Sequence, residues 1–220
     1  MIGETINAPY AEKFTVSNVF SSDMVVQRGE HIRVWGFADA SENGHKVSGE
    51  FMGMFAEALI ENGAWTLTFG ARLNACAEQG NSMRIYTDRT AFVFENVLVG
   101  DVFMVIGQSN VAYSMAAHRA AVPEAERGGV GYDVPSTPIR LHYNSLMQET
   151  GVTRGTEEVC AELRNRETWK RADAAAVQDF SALGYLFAAE YARATGVPVG
   201  VIEIDGNGQP IGAFLPNSVA

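Results

Sequence analysis

Hydrophobic spacing divides the chain into two regimes. From Phe14 to about Phe94 apolar residues recur at every second position. The run from His31 to Phe37 alternates, and Trp65, Leu67 and Phe69 share one face opposite Thr66 and Thr68. Between Ile60 and Trp65 stands Glu61-Asn62-Gly63, and Asn-Gly is a strong hairpin signal because both residues tolerate positive φ. A second hairpin is predicted to turn at Asp88-Arg89, between Met83–Thr87 and Ala91–Phe94. Short strands at this spacing predict a small antiparallel β-sandwich over residues 1–95, a module that packs against or positions its neighbour.

After Glu95 the spacing changes, and residues 96–220 read as an α/β domain. Asp101 to Ile106 is nearly continuous in apolar residues, as a parallel strand buried on both faces requires. Ile139 to Tyr143 reads as a second strand. Phe180, Leu183, Gly184, Phe187 and Tyr191 recur at helical spacing, with Asp179 or Ser181 as N-cap and Gly196-Val-Pro198 as the stop. Val197 to Ile204 is a third buried strand, giving a doubly wound layout. Arg119 to Pro138, rich in glycine and proline, is expected to be a long loop bordering the site. Only 16 residues follow Ile204. The parallel-sheet domain is therefore expected to be partial, with the Val197–Ile204 strand exposed at one edge. A missing C-terminal portion, a second chain or another copy of this one would cover it.

Composition narrows the function classes. The 220 residues hold 16 Lys+Arg against 26 Asp+Glu, a net charge of −10. No dense cluster of basic residues is present, which argues against a nucleic-acid partner. At 47% hydrophobic and 19% charged, the chain is an ordinary globular sequence. No uncharged apolar stretch reaches the roughly 18 residues that cross a bilayer, so no membrane partner is expected. The start lacks the basic and apolar regions of a signal peptide, so a cytoplasmic location is expected unless that start is a processed one. Cys76 and Cys160 supply neither a disulfide framework nor a zinc site and read as buried or free thiols.

Open α/β sheets bind ligands beyond the carboxyl ends of their strands, and two features fall there. Gly107-Gln108-Ser109-Asn110 follows the first buried strand, at the expected start of a helix. A serine on such a turn is exposed, and its backbone N–H can face a developing oxyanion; an N-capping serine is the structural alternative. Gly206-Asn207-Gly208-Gln209-Pro210 follows the third strand. With Ile211 in place of a third glycine it is not a dinucleotide loop, and it reads as a second source of backbone N–H groups. Serine needs a base in hydrogen-bond reach. His31 and His45 lie in the β-rich half, and His118 is about 13 Å along the expected helix from Ser109. His142 is the remaining candidate, although an ordinary strand histidine is the simpler reading.

Several ordered segments resemble the sialate O-acetylesterases. They are Val16 to Gly29, Ile32 to Gly36, Asn96 to Asp101 leading into Gly107-Gln108-Ser109-Asn110, Phe180 to Phe187, Val197 to Ile202, and Pro210-Ile211. The resemblance runs from about Phe14 to Phe214. It implies a carbohydrate esterase of the SGNH-hydrolase type: a β-rich N-terminal domain, then a flavodoxin-like catalytic domain acting on O-acetylated sialic acid or a related sugar. It further implies Ser109 as nucleophile, with the Ser109 and Gly208 N–H groups as oxyanion donors. Gln108, Asn110 and Asn207 would bind substrate. Where the family has Trp-Gly-Gly, this chain has Gly206-Asn207-Gly208, and Val111 replaces the usual methionine. The family's Asp-x-x-His pair lies further downstream, so the base is expected from outside this chain. Serine acyl transfer calls for no cofactor and no metal. A catalytically silent homologue that binds glycan or a partner is the competing reading.

Overall fold

Alternation in the first half folds into antiparallel strands, and the turns between them are chosen locally. The computed structural model describes residues 14–78, 80–127, 132–145, 168–206, 208 and 210. The first strands are β1 (Phe14–Val16), β2 (Val25–Gln27), β3 (His31–Ala38), β4 (Lys46–Phe51) and β5 (Met54–Leu59). They are followed by β6 (Ala64–Arg72), β7 (Met83–Tyr86) and β8 (Ala91–Phe94). Asn62 and Gly63 both adopt positive φ, +53° and +74°, in a two-residue turn closed by the Glu61–Ala64 bridge. The Asp88-Arg89 turn is closed by the Thr87 N–H donating to the Thr90 carbonyl at 2.8 Å. A further hairpin, unmarked in the sequence reading, turns at Met52-Gly53 between β4 and β5.

These strands form one sheet of order β1-β3-β6 and another of order β5-β4-β7-β8. Val34, Leu67 and Phe69 from the first share a core with Val47, Phe51, Met83 and Ile85 from the second. Trp65, Leu67 and Phe69 are buried while Thr66 and Thr68 are exposed, so the period of two decides which face enters the core.

The remaining strands are β9 (Leu98–Gly107), β10 (Ile139–Ser145), β11 (Lys170–Arg171) and β12 (Val199–Asp205), with helices α1 (Met115–Ala121), α2 (Ala174–Asp179) and α3 (Ala182–Thr195). They build a sheet of order β11-β10-β12-β9-β2, in which only β11 is antiparallel to its neighbour. Here the expected edge is corrected. β12 lies between β10 and β9 and is paired along its full length on both sides, so the Val197–Ile204 segment is central. Among the described strands the open edge belongs to β9, because β2 pairs with it only at Leu98–Gly100.

Helix α3 forms as its caps predict. The Ser181 Oγ accepts from the Gly184 N–H at 3.2 Å, and Gly196 takes the left-handed C-cap at φ +66°. Its Tyr185, Ala188, Ala189 and Ala192 are fully buried against Ile139, Leu141, Val199 and Val201. Helix α2, absent from the sequence reading, begins where the Asp173 carboxylate accepts from the Ala175 and Ala176 N–H groups. The expected Arg119–Pro138 loop is shortened, since α1 extends through Arg119 to Ala121 and a 3-10 turn covers Glu124–Glu126.

The opposite face of the parallel sheet meets the β-rich half. Trp169, 4% exposed, donates its backbone N–H to Ser21 Oγ and its indole N–H to the Val19 carbonyl, at 2.9 and 2.7 Å. At the amino end of β9, Arg28 grips Asp101 with two 2.9 Å hydrogen bonds, and the Tyr191 hydroxyl donates to the same carboxylate at 2.7 Å. The arginine beside it holds the Asp101 carboxyl below the usual carboxylate range. Among the described residues, no helix is long and apolar enough to cross a membrane.

Candidate active site at the carboxyl edge of the sheet

Ser109 lies two residues beyond the end of β9 on a turn closed by hydrogen bonds from the Val111 and Ala112 N–H groups to the Gln108 carbonyl, at 2.9 and 3.0 Å. The helix expected to start at the serine does not begin there. Helix α1 begins only at Met115, because Ser114 supplies its cap by accepting from the Ala117 N–H. The turn is tight for a steric reason. Val111 folds back under Gly107, where a Cβ would stand 2.8 Å from Val111 Cγ2, and Val111 is buried. Gln108, Ser109 and Asn110 are left exposed above it.

The second turn arrives from β12. Asp205 is the register partner of Gly107 on one side and of Ser145 on the other, so both strands end at the same level. The Gly206 N–H donates to the Gly107 carbonyl at 2.9 Å, joining the roots of the two turns. Gly208 is exposed and has φ +74°, a backbone shape that glycine adopts without strain. The structure therefore brings the Ser109 and Gly208 turns to one edge. Asn207 lies outside the described residues.

Helix starts buttress this edge. The Met115 N–H donates to the Phe180 carbonyl and the Ala182 N–H to the Tyr113 carbonyl, at 2.9 and 2.8 Å, so α1 and α3 are pinned together below the serine turn. Glu203, 1% exposed, accepts from the Ser181 N–H at 2.8 Å, a carboxylate placed where the α3 dipole favours it. Sequence reasoning missed Asp205, whose only signal was an acid ending a buried strand. Its side chain is 1% exposed; Oδ2 accepts from the Tyr143 hydroxyl at 3.5 Å and Oδ1 has no hydrogen-bond partner among the described residues.

Neither described histidine of this half reaches the serine turn through a bond. His118 Nε2 is 2.7 Å from the Tyr132 hydroxyl, and the two rings stack. His142 pairs with Ile202 three positions before the end of the sheet, about 10 Å along the strand. It is 1% exposed, its Nε2 is 3.4 Å from the Asn18 carbonyl, and it meets the Trp169 ring edge-on. Burial pushes its pKa below the ordinary histidine value. This is the packing of a strand histidine, directed at the β-rich half. Of the cysteines, Cys76 is a free, half-buried thiol and Cys160 lies outside the described residues. Among the described residues, no three His, Cys, Asp or Glu side chains are grouped to hold a metal ion.

No family model and no curated protein matches the sequence. Six chains among the solved structures match. One is a carbohydrate acetylesterase from Xanthomonas citri, aligned at a TM-score of 0.66 and 23% sequence identity. The match covers 93% of this chain and 43% of that one, so this chain spans less than half the length of the solved protein. The likeness shows a common fold.

Proposed function

We propose that the chain is the N-terminal portion of a serine carbohydrate O-acetylesterase resembling the sialate O-acetylesterases. The observation that carries this reading is the meeting of an exposed serine turn and a glycine turn at one sheet edge, joined by the Gly206–Gly107 hydrogen bond. Likeness in fold to a carbohydrate acetylesterase supports it.

In the reaction, the Ser109 hydroxyl gives its proton to a base and its oxygen attacks the acetyl carbonyl. The N–H groups of Ser109 and Gly208 stabilise the oxyanion in the tetrahedral intermediate. That intermediate collapses to acetyl-Ser109 as the sugar oxygen leaves with a proton. Water, deprotonated by the same base, then releases acetate and restores the serine. Gln108 and Asn110, together with Asn207 by the resemblance, are assigned to binding the sugar, and a histidine–carboxylate pair from polypeptide outside these 220 residues supplies the base.

The test compares the chain with Ser109→Ala on p-nitrophenyl acetate and on an O-acetylated sialic acid, with and without added imidazole as an external base. Hydrolysis at least tenfold above that of Ser109→Ala in any arm is the expected result. A second reading, a catalytically silent glycan- or partner-binding homologue, is favoured by the engagement of His118 and His142 elsewhere. Equal rates in every arm, together with binding of the acetylated sugar, would establish it instead.

A further inference from the structure

The β5-β4-β7-β8 sheet has an outer face, turned away from the shared core. Along β4, Val47 and Phe51 enter the core, and a Cβ on Gly49 would stand 2.7 Å from Leu67 Cδ1. Lys46, Ser48 and Glu50 therefore lie on the other side. In register across that side stand Glu57, Ser48 and Tyr86 in one row, and Phe55, Glu50 and Arg84 in the next. Ser48 is short between two long neighbours, so the face dips there. The dip opens into a cavity of about 490 Å³ lined by His45, Lys46, Ser48, Tyr86, Thr87 and Asp88. Small-molecule sites occupy roughly 300–1,000 Å³.

Partners around the cavity hold its walls in place. Lys46 Nζ is 2.9 Å from Glu57 Oε1, which also accepts from the Ser48 hydroxyl at 3.4 Å. The Tyr86 hydroxyl donates to Glu50 Oε1 at 2.8 Å, and the Arg84 guanidinium lies 4.3 Å from the centre of its ring. Glu42 ties His45 to Arg89, at 3.4 and 3.1 Å. Thr87 Oγ1 accepts from the Arg89 and Thr90 N–H groups, both at 3.2 Å. Its two lone pairs are thereby engaged and its O–H is left to donate. Asp88 adds an exposed carboxylate.

We propose that this cavity on the β-rich half is a binding site for a neutral saccharide. A sugar hydroxyl both donates and accepts, and the lining offers both kinds of partner: donors on Lys46 and Thr87, acceptors on Ser48 and Asp88. The Tyr86 ring supplies an apolar surface for the C–H face of a sugar ring. Walls fixed before the ligand arrives leave little side-chain ordering to oppose binding. An anion fits less well, because Lys46 and His45 each already face a carboxylate and the chain carries a net charge of −10. A protein partner also fits less well. The exposed Phe55, Leu59 and Val93 are set opposite Glu50, Lys46 and Arg84, so they make no continuous apolar patch. The site needs nothing from Ser109, so it stands or falls apart from the esterase reading.

Amide chemical shifts of the isotope-labelled chain test it, titrated with cellohexaose, xylohexaose or mannohexaose. Saturable shifts at Lys46, Ser48 and Tyr86–Asp88, with a Kd of about 1 mM or tighter, are expected from at least one of the three. Tyr86→Leu removes the ring and is expected to weaken that binding about tenfold, and Asp88→Ala about threefold, with thermal melting unchanged. Tyr86→Phe keeps the ring and is expected to bind as the parent does. Ser109→Ala is expected to bind unchanged at this face, so loss of esterase activity and loss of this site are read separately. The proposal is overturned if none of the three sugars shifts these amides, or if the shifts gather only around Ser109. Sulfate competing with the sugar at the same amides would overturn it in favour of an anion site. Full affinity in both Tyr86→Leu and Asp88→Ala would overturn the assignment of the cavity.

Discussion

The Gly206 N–H donates to the Gly107 carbonyl at 2.9 Å, joining the roots of the two turns that carry Ser109 and Gly208. Gly107 is also the residue under which Val111 folds. Gly107→Ala would place a methyl group 2.8 Å from Val111 Cγ2 and push the serine turn away from its neighbour. The variant is expected to lose about 1–3 kcal/mol of stability by urea unfolding. Its Ser109-dependent ester hydrolysis should fall more than tenfold. An unchanged rate would show that this packing does not position the serine.

At the other end of β9, Asp101 is held by Arg28, Tyr191 and Gln27 together. Its carboxyl titrates below the unfolded value of about 3.9, so the folded state favours the ionised form. The contribution is present in full above that value and is lost as pH falls through the lowered folded one. Asp101→Asn is expected to cost about 2–3 kcal/mol at pH 7 and to flatten stability against pH below about 4. Urea midpoints at pH 7 and pH 3 for both proteins measure this.

Buried His142 gives a slope in a higher window. Its pKa is lowered by burial, so the unfolded chain takes up a proton below about pH 6.5 while the folded chain resists it. Stability is therefore greatest above that pH and declines as pH falls toward the folded value. His142→Leu is expected to reduce the loss between pH 7.5 and pH 5. Parallel unfolding curves of the two proteins at these pH values would disprove the assignment.

Asp205 Oδ1 is a buried carboxylate oxygen beside the serine turn. Asp205→Asn keeps the shape and exchanges a buried oxygen that has no hydrogen-bond partner among the described residues for an amide group, so stability at pH 7 is expected to rise by about 1 kcal/mol. If the carboxylate serves the site, Ser109-dependent hydrolysis falls in the same variant, the usual exchange of activity for stability. A stabilised variant of unchanged rate would assign Asp205 to packing alone.

Local features were readable because local energetics decide them. Asn62-Gly63 selects its turn, Ser181 and Gly196 bound α3, and alternation along β6 sets its buried face. Strand order was not readable, since nothing in Val197 to Ile204 states which strands flank it; pairing with β9 and β10 is settled between residues far apart. The start of α1 was displaced because Ser114, rather than the residues around Ser109, supplies the cap. The Asp173 cap before three alanines went unread, because six residues leave little periodicity to detect. For the site, the serine and glycine turns were legible as turns after buried strands. Asp205 was not, because its burial depends on Tyr143 and on the meeting of three strands.

The interleaving of β2 with the parallel sheet, and of Trp169 with the β-rich core, bears on modular exchange. Cutting the polypeptide near residue 95 separates β2 from the strand it extends and strips Trp169 of Ser21 and Val19. Truncating a tryptophan in such surroundings costs about 3–5 kcal/mol, a large share of a domain's stability. Grafting a foreign β-rich front onto this α/β part would therefore fail as a simple splice. The donor would have to bring its own counterparts of β2 and of the socket that receives Trp169.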